Sequence, residues 1–279
     1  MGFTQIFDEA SHARSIAAVN RLIEIDGRIA KLSLESVVAL LKARRAEKDF
    51  FLFRTEFGFK EAKSRYATLV QTNVADISQY MTEIRGLTGN QDVVELTHAV
   101  EQGANHYQVE FLEVINLYRK LGYINDGLEG DFRKKAHEIE SIIAPRNLDR
   151  LMLDLLNLRR AEKDFLLRNL DKNVKAFTKG IDRFKADIAL TSLPPALKKK
   201  LQTLVVEYND SFQQYVQTDS AINASKVHFI TEMHAIEPLL EKLYFSATQA
   251  EMTVNQDVRE AAKTTAWAIA FATLLGLPL

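Results

Sequence analysis

From Ala196 to Leu275 the chain contains no glycine, and its apolar residues recur with helical rather than alternating periodicity. A helix from Ala196 to about Lys263 would be roughly 100 Å long at 1.5 Å per residue. No single compact domain accommodates such a rod, so the fold must share it between bodies. Elsewhere breakers are scarce, 11 Gly and 5 Pro in 279 residues, and each one marks a boundary. Gly58 closes a first helix that begins near Asp8. A second covers about Lys60 to Arg85 and ends in the Gly86–Asn90 turn. A third starts near Gln91 and is interrupted or bent at Gly122 to Gly130, after which helical pattern resumes to Ile143. Ala144-Pro145 forces a turn, because the residue before proline avoids the helical region. A fourth helix covers about Asn147 to Leu170, and a fifth follows Asp171–Asn173 and runs to Leu190. Pro194-Pro195 opens the last helix, with proline in its tolerated first turn. The pattern predicts an all-α fold of two stacked four-helix bundles sharing two long helices. Helices one and two form a hairpin in one bundle, four and five in the other, and the third and last run through both. The expected division is 1–25 as a helical extension, 26–118 with 223–263 as one module, 119–222 as the other, and 264–279 as the start of a membrane helix.

A second feature is a seven-residue identity. Arg-Arg-Ala-Glu-Lys-Asp-Phe occurs as Arg44 to Phe50 and again as Arg159 to Phe165. Leucines flank both copies: Leu40, Leu41 and Leu52 in the first, Leu155, Leu156 and Leu167 in the second. Solvent-facing charges on a helix interchange freely, so identity at this many charged positions means that each place needs these side chains. On a helical wheel Leu41, Arg44, Lys48, Phe51 and Leu52 share a face with Arg45 at its edge, as do Leu156, Arg159, Lys163, Leu166 and Leu167 with Arg160. This face is expected to point into the core, which would bury cations at a cost unless they are paired. Glu47, Asp49, Glu162 and Asp164 lie to either side. Two readings follow: a buried ion-pair network repeated in both modules, or a pair of cationic pockets in which guanidinium clamps a small carboxylate.

Other chemistry is thinly supported. With 36 basic and 37 acidic residues there is no electrostatic footprint for nucleic acid. The absence of Cys excludes a disulfide scaffold, a thiolate metal site and a Cys nucleophile. His12, His98, His106, His137, His228 and His234 show no metal spacing, and no phosphate loop or nucleophile motif occurs, so neither metal, cofactor nor catalysis is expected. Tyr208, Asn209, Ser211, Gln213, Gln214, Tyr215 and Gln217 crowd one part of the last helix, as a solvated face or as pocket lining. Met1 to Glu9 lacks the pattern of a signal peptide. After Lys263 the chain runs uncharged to Leu279, with Trp267 at the border of the apolar run. That length is short of the ~20 residues that span a bilayer and reads as the first part of a transmembrane helix or as a terminal helix docked on the core.

The segments Leu158 to Phe177 (LRRAEKDFLLRNLDKNVKAF) and Gly127 to Glu140 (GLEGDFRKKAHEIE) resemble the helical bimodular sensor domain of bacterial chemoreceptors and some sensor histidine kinases. The resemblance covers roughly Asp26 to Lys263. It implies a periplasmic domain of an inner-membrane protein, held between two transmembrane helices and acting as a homodimer. Such domains bind small organic acids, di- and tricarboxylates in the module near the membrane and short monocarboxylates such as acetate in the distal one. Carried over by residue, the carboxylate-binding groups would be Arg44 or Arg45 with Lys48, and Arg159 or Arg160 with Lys163. Two departures stand out. The last helix has no Arg between Lys200 and Arg259 to hold a second carboxylate, only Lys226 and Lys242 with His228 and His234. Met1 to Ile25 is polar and helical, so it does not supply the first membrane helix.

Overall fold

In the computed structural model, residues 2–274 are described, with the side chains of residue 17, of 19–250 and of part of 252–264. The described chain is helical, with no strand among these residues. Its elements are α1 (Gly2–Phe53), α2 (Phe59–Ala62), a π turn (Lys63–Ala67), α3 (Thr68–Leu87), α4 (Gln91–Leu121), α5 (Gly127–Ile143), a 3-10 turn (Ala144–Arg146), α6 (Asp149–Arg168), α7 (Asp171–Leu190) and α8 (Pro195–Leu274). Most breakers act where the sequence places them, but Ala144 before Pro145 stays helical (φ −58°, ψ −49°), and the chain turns instead at Asn147, in the left-handed region after the 3-10 turn. Gly58 takes φ +84°, a left-handed conformation open to glycine, and separates α1 from α2. Asn169 caps α6 in the left-handed region, its N–H donating to Phe165 O at 2.7 Å.

The expectation of an uninterrupted last helix passed over Pro238, which lies inside α8. The helix continues through it. Proline removes the N–H that would bond to the carbonyl of His234, and the exposed position leaves that carbonyl to water. Among the described residues no helix is long and apolar enough to cross a membrane. Of the uncharged C-terminal segment, residues 275–279 lie outside the described part.

The chain forms two compact units, one of Met1–Glu110 with Phe229–Leu279 and one of Phe111–His228. Residues of α4 and α8 belong to both. In the first unit the core is built around Leu40, Phe50, Ile77, Met81, Tyr107, Phe229 and Leu240. Phe51 stacks on Phe229 at 6.2 Å and Tyr107 meets the same ring edge-on at 6.1 Å. Gly103 of α4 lies so near Ile236 of α8 that an added Cβ would meet its Cγ1 at 2.9 Å. In the second unit Phe212 of α8 contacts Phe177, Phe165 and Phe132, joining α5, α6 and α7 in one aromatic cluster.

The face of the repeat that enters the core differs from the expected one. Leu41, Leu52, Leu156 and Leu167 are exposed. The buried stripe is Leu40, Ala43, Ala46, Glu47 and Phe50, matched by Leu155, Leu158, Ala161, Glu162 and Phe165. Small alanines (Ala43, Ala46 and Ala161) let neighbouring helices approach closely and so share the interior stripe with the leucines. The acid of each repeat, rather than its Lys48 or Lys163, therefore lies innermost.

Candidate functional site

Each copy of the repeat organises the same set of polar side chains. In the first unit Glu47 is only 6% exposed and accepts a hydrogen bond from the Tyr107 hydroxyl of α4 at 2.8 Å. In the second, Glu162 is 2% exposed and accepts from the Tyr208 hydroxyl of α8. One turn before each acid stands an arginine whose side chain is largely covered. Arg44 Nη1 lies 3.2 Å from Glu237 Oε1, and Arg159 Nη1 lies 3.8 Å from Glu140 Oε2. Each of those glutamates in turn faces a histidine three residues earlier: His234 Nδ1 to Glu237 and His137 Nδ1 to Glu140, both at 3.4 Å. The units thus contain matching constellations, His234–Glu237–Arg44–Glu47–Tyr107 and His137–Glu140–Arg159–Glu162–Tyr208.

The electrostatics follow from burial. Loss of solvent pushes the Tyr107 hydroxyl far above its ordinary value, and the Glu47 carboxylate adds to it while Arg44 opposes. Tyr208 is raised for the same reasons, with Glu162 and Arg159 in those roles. Burial also raises Glu162, against the Tyr208 hydrogen bond and the charges of Arg159, Lys163 and Arg133. A tyrosine that keeps its proton is a dependable donor to a buried acid. Tyr208→Phe is therefore expected to cost about 1–3 kcal/mol, the penalty for stranding a buried acceptor, and Tyr107→Phe about the same. Urea denaturation measures this; an unchanged midpoint in both variants would mean that the acids are satisfied otherwise.

The six sequence-predicted cations divide into two groups. Arg44 and Arg159 are engaged by Glu237 and Glu140 as above. Arg45, 85% exposed, reaches Asp49 only at 3.8 Å, and Lys48, Arg160 and Lys163 are exposed. Among the described residues Arg160 and Lys163 have no carboxylate within ion-pairing reach. Arg45 and Lys48 stand three residues apart on the outer face of α1, bracketed by the exposed Leu41 and Leu52, and Arg160 and Lys163 repeat this on α6 between Leu156 and Leu167. No group of three or more acidic or histidine side chains suited to a metal occurs among the described residues.

Tyr107, Glu237 and Glu140 do not stand out in the sequence, and Tyr208 stands out there only as solvated face or pocket lining, although two short signals mark all four. His137-Glu-Ile-Glu140 is echoed by His234-Ala-Ile-Glu237, and Tyr107 and Tyr208 each precede a buried phenylalanine by four residues, Phe111 and Phe212. The polar crowd on the last helix also resolves: Tyr208 and Tyr215 turn inward, and Gln214 and Gln217 outward. No family model matches the chain, and no curated protein matches it.

Proposed function

We propose that the chain is the periplasmic ligand-binding domain of a transmembrane receptor, not an enzyme, built as two stacked four-helix bundles that share α4 and α8 and that each recognise a small organic acid. The observation that carries this reading is the recurrence, in both units, of an Arg-x-x-Lys pair on an outer helix face whose cations are left largely without carboxylate partners. A small carboxylate supplies the missing counter-charge: guanidinium binds it through two parallel N–H bonds, and the lysine adds a third. Arg44 and Arg159, held by their acids, border the same segment. Di- or tricarboxylates at Arg44, Arg45 and Lys48 and a short monocarboxylate at Arg159, Arg160 and Lys163 is the assignment that the sequence resemblance implies. Binding shifts signalling only so far as one helix arrangement holds the acid better than another, and α8 is the element to carry that shift toward the membrane.

The partner on the outer face of α1 is a second copy. Lys31, Leu34, Val38, Leu41, Arg45, Lys48 and Leu52 are exposed and follow one another at alternating spacings of three and four, the period of a coiled-coil seam. Self-association would bring like charges together at Arg45 and Lys48, and a bound carboxylate offsets them, so ligand and dimer stabilise each other.

The test is a thermal-shift screen against two- to six-carbon mono-, di- and tricarboxylates. A ligand at about 100 times its Kd adds roughly 2.7 kcal/mol. The shift is expected to disappear in Arg45→Ala/Lys48→Ala for one acid class and in Arg160→Ala/Lys163→Ala for the other, with no loss of unliganded melting temperature because these side chains are exposed. A screen without any shift, or shifts that survive both double variants, overturns the reading. A second reading has its own support: the pairing of Arg44 with Glu237 and of Arg159 with Glu140 is what a purely structural or protein-binding rod locked by ion pairs would show. It expects no response to any acid, and destabilisation by Arg44→Ala and Arg159→Ala alone.

A further inference from the structure

Near the open end of the α6–α7 hairpin two aspartates are sealed together. Asp154 of α6 and Asp187 of α7 are each 4% exposed, and they adjoin each other across the hairpin. Arg150 Nε lies 2.6 Å from Asp187 Oδ2 and Arg183 Nε lies 3.0 Å from Asp154 Oδ1. The remaining oxygen, Asp154 Oδ2, is shut off from solvent and meets no donor among the described residues. Two ionised carboxylates cannot bond to each other, because both only accept. One proton between them supplies the absent donor and removes the repulsion of like charges in a site with little water.

We propose that Asp154 and Asp187 share a single proton in the folded protein, so that the stability of the second unit is linked to the proton concentration of its surroundings. The pair is special to this unit: in the register of the repeat, the position of Asp154 corresponds to the buried Ala39 of α1. The charges that face it are the two arginines of the hairpin. From α8, Lys198 Nζ donates to the carbonyl of Ala189, two residues beyond Asp187, at 2.9 Å. The proton resides on Asp154, which burial and the adjoining Asp187 raise above the ordinary carboxyl range, while Arg150 holds Asp187 below it. This cluster is separate from the exposed cations, and its proton does not depend on carboxylate binding.

Above the ordinary aspartate value of about 4, the unfolded chain has released its protons while the folded pair still holds one. Stability therefore falls as pH rises through the raised value of Asp154. Glu162, also raised, acts in the same direction, so a comparison of variants isolates the pair. Melting of the full chain between pH 4.5 and 8 is expected to show a decline with pH that Asp154→Asn reduces, because the carboxamide donates to Asp187 without a titrating proton. Carbon-detected NMR of 13C-labelled aspartate is expected to show one carboxyl titrating above all others, and to lose that signal in Asp154→Asn. An Asp154→Asn variant with the wild-type pH slope, or aspartates that all titrate in the ordinary range, overturns the proposal.

Discussion

Truncating Phe212 to alanine is expected to remove about 3–5 kcal/mol of stability, the range for deleting a buried phenylalanine ring. The ring is fully buried, with centroids 4.0 Å from Phe177, 5.6 Å from Phe165 and 6.0 Å from Phe132. It is the common neighbour of α5, α6 and α7. Aromatic partners on three sides keep the walls apart after truncation, so the cavity collapses little and the cost falls toward the upper end of the range. The loss also reaches the polar cluster: Phe165 ends the repeated heptapeptide, and Tyr208, donor to Glu162, lies one helical turn before Phe212. Chemical denaturation followed by far-ultraviolet circular dichroism reads the effect. A loss below about 1 kcal/mol would mean that the four rings do not form a packed unit.

Gly122→Ala is expected to be comparably severe, about 3 kcal/mol or more, or some 6–12 °C in Tm at roughly 2–4 °C per kcal/mol for a chain of this size. Gly122 has φ +78°, and a Cβ there would lie 1.8 Å from the carbonyl oxygen of Asp126. That oxygen accepts the N–H of Gly130 at 3.0 Å in the first turn of α5. Relieving the clash therefore disrupts the start of α5. The turn is already costly, since Ile124, a β-branched residue, is held at φ +57°. The exposed Gly86→Ala makes the control, because a Cβ there meets nothing within 4 Å. Equal melting temperatures for the two variants would show that the turn adapts.

The helix boundaries were legible because each depends on a local property of the backbone. Gly58, the Gly122–Gly130 segment and Pro194-Pro195 restrict or release φ and ψ irrespective of what packs nearby. Pro238 shows the converse: in α8 one missing hydrogen bond is tolerated where the freed carbonyl faces water. The importance of the repeat was equally plain from its charged residues. Which of its faces turned inward was not, because Leu40 and Leu41, or Leu155 and Leu156, stand side by side, and hydrophobicity alone does not choose between neighbours 100° apart.

That choice belongs to partners distant in the chain. Glu47 and Glu162 are stabilised in the interior by Tyr107 and Tyr208, which arrive from other helices to donate to them, and Arg44 and Arg159 pair with Glu237 and Glu140. The Asp154–Asp187 pair likewise exists only once α6 and α7 fold onto each other. Helical class, most breakpoints and the duplication are written in the chain, because short-range backbone preference and identity along it set them. Which acids are buried, which cations stay exposed and where a proton is held depend on solvent exclusion and on charges brought together from distant helices, which arise only on folding.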